Sequence, residues 1–141
     1  MNGWQLVREL KEATGLPAAY YEEALSRQAN HDKLTGLVNR FYLIDHLQQI
    51  FDAGKMKNYW LAIVDIDDFK MINDGFGHNC GDFVLKSMTS IIESCCGDLI
   101  ACRWGGEEFV MVGAMPGGAE AESAVLETVR NTVAEREFVY D

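Results

Sequence analysis

The chain contains no apolar run approaching the roughly 20 residues of a membrane span, although 48% of its 141 residues are hydrophobic. It begins Met1-Asn2-Gly3-Trp4, with no basic start ahead of an apolar core, so no secretory signal is read there. The expectation is a soluble cytoplasmic protein of one main domain, long enough to bury a core, with no membrane partner. Basic side chains are scarce, with 12 Lys and Arg against 22 Asp and Glu and a formal net charge of −10. A protein that binds nucleic acid presents a basic face, so nucleic acid is not an expected partner. A nucleotide remains open, because one metal ion and one or two cations suffice for a triphosphate. The four cysteines, at 80, 95, 96 and 102, form no Cys-x-x-Cys pair, and adjacent Cys95-Cys96 suits zinc poorly. They read as reduced, mostly buried thiols. Internal repeats and low-complexity segments are absent.

Residues 3 to 14 place Trp4, Val7 and Leu10 at helical spacing, ending near Gly15. Leu16-Pro17 opens a second helical stretch through Ala18, Tyr21 and Leu25 to about Gln28. Residues 1–30 thus read as a helical leader, too short for a sensor domain, that packs on the main domain or on a twin subunit. Asp32 to Arg40 reads as a turn bent at Gly36, with Asn39 capping a helix from Arg40 to about Ala53. Phe41, Ile44, Leu47, Gln48 and Phe51 are the predicted inward face of that helix. Tyr59 to Val64 reads as a buried strand. Phe69 to Asp74 suggests a short helix broken by Gly75-Phe76-Gly77-His78, and Asp82 to Cys95 a longer one facing inward through Phe83, Leu85, Met88, Ile91 and Ile92.

Leu99 to Arg103 and Phe109 to Val112 are strand-like and flank Gly105-Gly106, a dipeptide that supplies the positive φ of a two-residue hairpin. Pro116-Gly117-Gly118 is a loop, and Ala119 to Glu135 a helix with Val125, Val129 and Val133 at i, i+4 spacing. Phe138-Val139-Tyr140 looks like the start of another strand. The order β-α-β-β-α-β predicts an α/β (α+β) fold, a ferredoxin-like or palm-type sheet with helices packed around it.

Two acidic strand ends carry the chemistry. Asp65 closes the first strand, followed by Asp67 and Asp68, and Glu107-Glu108 sits at the hairpin tip. A lone aspartate there would simply face water. Neighbouring strands would bring Asp65 and Glu107 to one sheet edge, where mutual repulsion calls for a cation. Such a site suits a hard divalent ion and a polyphosphate. Lys70 and the backbone N–H groups of Asp68 and Phe69 lie at a predicted helix start, which binds phosphate. Asn73 and Asp82 flank the glycine-rich stretch from Gly75 to Gly81. A carboxylate accepts from the ring N–H and amino group of guanine and an amide donates to its carbonyl, whereas adenine has the wrong polarity at both points. The same two residues also read as helix caps, and pattern alone favours the caps. His78 reads as a structural hydrogen-bonding residue rather than a base.

Three segments resemble the GGDEF domain family, the diguanylate cyclases. Asp32-x-Leu34-Thr35-Gly36-Leu37-x-Asn39-Arg40 is similar to the family's leading motif, and Asp65-Ile66-Asp67-Asp68-Phe69-Lys70-x-Ile72-Asn73-Asp74-x-Phe76-Gly77-His78-x-x-Gly81-Asp82 to its metal and guanine segment. Arg103-Trp104-Gly105-Gly106-Glu107-Glu108-Phe109 is similar to its signature loop in the active GGEEF form. The resemblance covers about residues 31 to 141, in order and with matching spacing. It implies condensation of two GTP to cyclic di-GMP, a bacterial signalling reaction, with two pyrophosphates released. It also implies that Asp65, Glu107 and the Ile66 carbonyl hold two Mg²⁺ or Mn²⁺ ions per active site. Glu108 is implied in activating the 3′-hydroxyl or assisting the metals, and Lys70 in steadying the transferred charge. Gly105 and Gly106 would let the backbone pass close to the phosphates, and Asn73 and Asp82 would read guanine. Each site binds one GTP, so cyclisation implies a homodimer.

Two departures from the family pattern matter. The inhibitory product-binding motif, Arg-x-x-Asp, falls on Cys96-Gly97-Asp98-Leu99, which lacks both charged anchors, so tight feedback inhibition is not expected. The family continues with a strand, a Ser-x-Gly-type strand and a helix bearing Lys and Arg, whereas this chain ends at Asp141. Residues 31–141 are therefore expected to be a C-terminally incomplete GGDEF-type domain, with an exposed sheet edge. That incompleteness favours the alternative of a non-catalytic GTP-binding or dimerisation module. A cyclic di-GMP receptor is a weaker reading, because the inhibitory motif is missing.

Overall fold

In a computed structural model of the chain, which describes residues 3–97, 99–114 and 118–140, the alternation of helical and strand-like segments resolves into ten α-helices and β-strands, with a short 3₁₀ turn at Met56–Asn58. They are α1 (Gly3–Thr14), α2 (Ala18–Asn30), β1 (Val38–Asn39), α3 (Arg40–Asp52), β2 (Tyr59–Asp65), α4 (Phe69–Phe76), α5 (His78–Cys96), β3 (Ile100–Gly105), β4 (Glu108–Ala114) and α6 (Gly118–Glu135). The sheet runs β1-β3-β4-β2, with β1 parallel to β3 and the other neighbours antiparallel. The mixed α/β architecture matches the expectation from sequence. No helix is long and apolar enough to cross a membrane among the described residues.

β4 is central, and its five interior residues, Phe109 to Gly113, are all buried, as a strand covered on both faces must be. On one face Trp60, Ala62, Phe109 and Met111 pack with Leu85, Met88, Ile91 and Ile92 of α5 and Val129 of α6. On the other, Val110, Val112 and Cys102 pack under Leu43 of α3. Full burial of each large side chain contributes about 1.5–3 kcal/mol. Gly113 is the cross-strand partner of Trp60, and the indole fills the space a Cβ there would need.

Several local expectations shift. Val38–Asn39, read as part of a turn, pairs as a strand with Cys102 and Arg103. Two residues are too few to show a period, so only the distant partner makes the strand. Asn39 does cap α3, its Oδ1 accepting from Tyr42 N–H at 3.0 Å, while its Nδ2 donates to the Ala29 carbonyl at 2.7 Å and ties α2 to the domain. The inward face of α3 is Leu43 and Ile50, with Leu47 half-buried; Phe41, Ile44 and Phe51 are exposed. Two apolar stripes overlap on this helix, and packing over Cys102 and Val110 selects the one through Leu43. α4 runs on through Gly75 and Phe76, and the break comes only at Gly77, whose φ is 91°. Phe138–Tyr140 pairs with no strand; Phe138 packs against the core and Tyr140 meets the Phe83 ring. The window expected to lack the inhibitory motif includes Asp98 and the Cys96 side chain, and Pro116 and Gly117 belong to the expected loop; these lie outside the described residues, as do the Trp4, Val7 and Leu10 side chains.

The turn before β1 is fixed to the hairpin by one ion pair. Asp32 accepts from the Thr35 N–H and hydroxyl at 2.9 and 2.8 Å, and the turn closes through Asp32 N–H to Leu37 C=O at 2.7 Å. Across the sheet, Arg103 Nη1 reaches both Asp32 oxygens at 3.2 Å. Burial pushes the Asp32 carboxyl pKa up, but the Thr35 hydrogen bonds and the Arg103 guanidinium outweigh it, and the net direction is down. A lowered folded-state pKa means that the stabilisation is complete above the ordinary carboxylate range and is lost as pH falls through the folded value. Asp32→Asn should therefore cost about 1–3 kcal/mol at neutral pH. Urea unfolding at several pH values should show the gap to wild type closing as pH falls below the ordinary carboxylate range and through the lowered folded-state value.

Candidate active site

The register of β2 on β4 assembles the acidic residues. Asp65 lies opposite Glu108, and one step further Ile66 N–H donates to the Glu107 carbonyl at 3.4 Å. The predicted convergence of the two acidic strand ends is thus present in the backbone. The hairpin turn itself is Gly106-Glu107, one residue later than Gly105-Gly106. A register shift between Arg103 and Gly105 places Trp104 in a bulge, and Gly106, not Gly105, takes the positive φ of 51°. The bulge reaims the tip of the hairpin. Arg103 holds that tip: Nε and Nη2 donate to the Gly106 carbonyl at 3.2 and 2.9 Å while Nη1 holds Asp32. Arg103 and Asp32 are the positioning residues that sequence reasoning missed. They stand 71 residues apart, and no local pattern links them.

After Asp65 the chain turns through Ile66 to Asp68, the one described non-glycine residue at positive φ, 58°. Asp68 occupies the N-cap position of α4 but makes no capping hydrogen bond, so the N–H groups of the first turn, at Phe69, Lys70 and Met71, have no side-chain cap. Phe69 is buried and Lys70 exposed. Neither Asn73 nor Asp82 is a helix cap. Asn73 lies inside α4, and Asp82 lies inside α5, whose N-cap is Gly77. α4 packs on α5 at Gly81, where a Cβ would overlap the Asn73 amide oxygen and approach Phe69 Cζ to 3.3 Å. Absence of a side chain at Gly81 therefore seats the Asn73 amide beside the turn of α5 that carries Asp82. His78 opens α5 and is exposed.

The donors offered to a metal are hard oxygens: the exposed Asp65 carboxylate, the half-buried Glu107 and the Ile66 carbonyl. Among the described residues no three His, Cys, Asp or Glu side chains form a ready cage. Two carboxylates and a carbonyl fit Mg²⁺, which is usually completed by water and substrate phosphates rather than by an all-protein cage. Cys80, Cys95 and Cys102 are free thiols, and burial together with the Asp32 charge pushes Cys102 up to about 11, which leaves it unreactive at neutral pH. A cavity of about 350 Å³ lies elsewhere, between β1, the start of β3 and the end of α5, and contains none of these residues.

The sequence profile described as diguanylate cyclase, GGDEF domain, matches residues 29–140. Diguanylate cyclase DgcM of Escherichia coli is 42% identical over 118 residues, which cover 80% of this chain and 28% of that protein. Diguanylate cyclase A of Treponema denticola is 41% identical over 101 residues, or 70% and 27%. The chain therefore spans less than a third of the length of these curated relatives. Among solved structures, the GGDEF domain of DgcB from Caulobacter crescentus, in complex with c-di-GMP, superposes with a TM-score of 0.71 at 35% identity over 77% of this chain and 64% of that one. Diguanylate cyclase SiaD of Pseudomonas aeruginosa, in complex with its activator SiaC, gives 0.73 at 30% identity over 96% of this chain and 55% of that one. The matched span runs through the turn at Asp32, the acidic end of β2 and the Gly106-Glu107 hairpin, and the chain belongs to the GGDEF-domain family of diguanylate cyclases.

Proposed function

We propose that residues 31–141 are the catalytic part of a cytoplasmic diguanylate cyclase that joins two GTP into cyclic di-GMP with loss of two pyrophosphates, and that residues 1–30 are its helical leader. The observation that carries this reading is the β2–β4 register, which sets Asp65 and Ile66 beside Glu107 and Glu108. The family works with divalent metal, and here Asp65, Glu107 and the Ile66 carbonyl would hold two Mg²⁺ or Mn²⁺ ions. When bound, such ions neutralise the triphosphate and acidify the attacking 3′-hydroxyl. The Glu108 carboxylate takes the proton of that hydroxyl as its oxygen bonds to the α-phosphorus of the second GTP. The bond from that phosphorus to the bridging oxygen then breaks and pyrophosphate leaves. Lys70 Nζ and the backbone N–H groups of Asp68 and Phe69 hold phosphate charge. Gly105 and Gly106, both exposed, keep side chains out of the path of the phosphates. Asn73 donates to the guanine carbonyl, and Asp82 accepts from its ring N–H and amino group. One site holds one GTP, so two chains must meet face to face for both bonds to form.

The competing reading is a non-catalytic GTP-binding or dimerisation module. Incubation of concentrated protein with GTP and Mg²⁺ or Mn²⁺, followed by mass spectrometry, separates the two. A cyclase yields cyclic di-GMP, reduced about 10²-fold or more by Glu107→Ala, which removes a metal ligand and transition-state charge stabilisation. GTP binding without product, in wild type as in Glu107→Ala, would establish the module instead.

Gly81→Ala probes the base pocket separately. The added methyl displaces the Asn73 amide, so affinity for GTP should fall about tenfold, the cost of a misplaced polar contact to the base. Thermal stability should fall little, since alanine is the better helix former by about 1 kcal/mol. Calorimetric titration with GTP alongside a melting curve checks both.

A further inference from the structure

The helical leader and the hairpin tip meet at one pair of residues. Asn39 is the cross-strand partner of Arg103, where β1 runs beside β3. Its Nδ2 donates to the Ala29 carbonyl at 2.7 Å, one of the last carbonyls of α2, which find no partner within a helix. Arg103 Nε and Nη2 donate to the Gly106 carbonyl, and the next carbonyl, that of Glu107, accepts from Ile66 N–H. A second route follows the chain. α2 ends at Asn30, His31 bridges to Val38, and Asp32 beside it accepts from Arg103 Nη1. Both routes join the C-terminal end of α2 to the turn between β3 and β4. α2 has little apolar hold of its own. Tyr21 is the one buried side chain among the described residues of α1 and α2, and neither core cluster includes a described residue of these helices. The Tyr21 hydroxyl hydrogen-bonds Thr14, within the leader. An element with so few buried apolar contacts opens locally, at a free energy well below that of global unfolding.

We infer that Asn39 is a positioning residue, through which docking of α2 and ordering of the Gly106-Glu107 turn become one coupled equilibrium. With α2 docked, the Asn39 amide is held at both ends, by Ala29 and by Tyr42 N–H, and β1 is pinned where Arg103 pairs with it. Asp32 is then fixed from its N-terminal side as well as by its own turn. A planar guanidinium serves Asp32 and the Gly106 carbonyl together in only one placement. With α2 lifted, Asn39 loses its acceptor and Asp32 its fixed start, so the fork loses one of its two anchors and the tip loosens. Coupling of this kind is reciprocal: a change that frees the tip frees α2 by the same factor. The end of α2 thus has a task beyond packing, since whatever seats or lifts it acts on the turn that carries Glu107. Its effect on turnover rests on the cyclase reading; the coupling itself does not.

Amide hydrogen exchange of the full chain, read residue by residue by NMR, tests the link, with circular dichroism as a check that each variant folds. Asn39→Ser keeps an oxygen to cap α3 but is too short to reach Ala29. It should speed exchange at the end of α2 and, with it, in residues 104–107, each by about fivefold, the worth of one hydrogen bond. The interior amides of β4 and α5 should keep their rates. Arg103→Gln, made at the other end of the link, should speed exchange at the end of α2 as well as at the tip. If Asn39→Ser frees α2 and leaves 104–107 as protected as in wild type, the inference is overturned. An effect of Arg103→Gln confined to the tip overturns it equally. So does a rise spread evenly over β4 and α5, which reports lost global stability instead of a link. With GTP and Mg²⁺, Asn39→Ser should slow formation of cyclic di-GMP by a similar factor. Wild type that makes none refutes the cyclase reading, and the exchange rates still decide the coupling.

Discussion

The register between β2 and β4 is the constraint on which the rest depends. The antiparallel ladder runs without interruption from Tyr59–Ala114 to Asp65–Glu108. Strand side chains alternate with a period of two, so a slip of one residue would turn Trp60 and Ala62 out of the core and separate Asp65 from the hairpin tip. The burial of Trp60 over Gly113, at the far end of the ladder, therefore helps to place the carboxylates at the near end. Core packing and site geometry are one requirement here. That is why the acidic cluster can sit on rigid strand ends despite its mutual repulsion.

The second control is Arg103. Its guanidinium spans from the Asp32 carboxylate to the Gly106 carbonyl and so fixes a hairpin tip that a bulge at Trp104 has already bent. A planar fork of donors serves both acceptors at once, which a lysine ammonium does less well. The side chain of Arg103 is 17% exposed and that of Asp32 22%, so screening by solvent is limited. Across the site, Gly81 plays the complementary part by leaving space rather than making contact. The candidate site side chains themselves are mostly exposed; Arg103, Asp32 and Gly81, which support them, are buried or half-buried.

The net charge of −10 discourages approach of polyphosphate and of a second copy alike. Binding of phosphate must then be local, at Lys70 and the N–H groups of the first turn of α4.

Most of the fold was legible before any coordinates, because the apolar, β-branched and aromatic runs within β2 and β4 and the helical spacing of apolar residues in α5 and α6 are local signals. The three motif segments likewise marked the acidic ends and the family. What stayed hidden was set by distance. Val38–Asn39 is a strand only because Cys102 lies beside it, and α3 buries Leu43 rather than Ile44 only because of what lies beneath. The cap reading of Asn73 and Asp82 fell once α4 and α5 extended to meet at Gly77, where a single left-handed residue replaces a longer break. The amino-acid sequence by itself determined which residue types stand at which strand ends, since hydrophobic period and turn chemistry are local. The tertiary structure alone decided which of two apolar stripes faces inward, which turn residue bends and which distant charge holds the tip, because each is a choice between near-equal local states that only packing and pairing across the chain can separate.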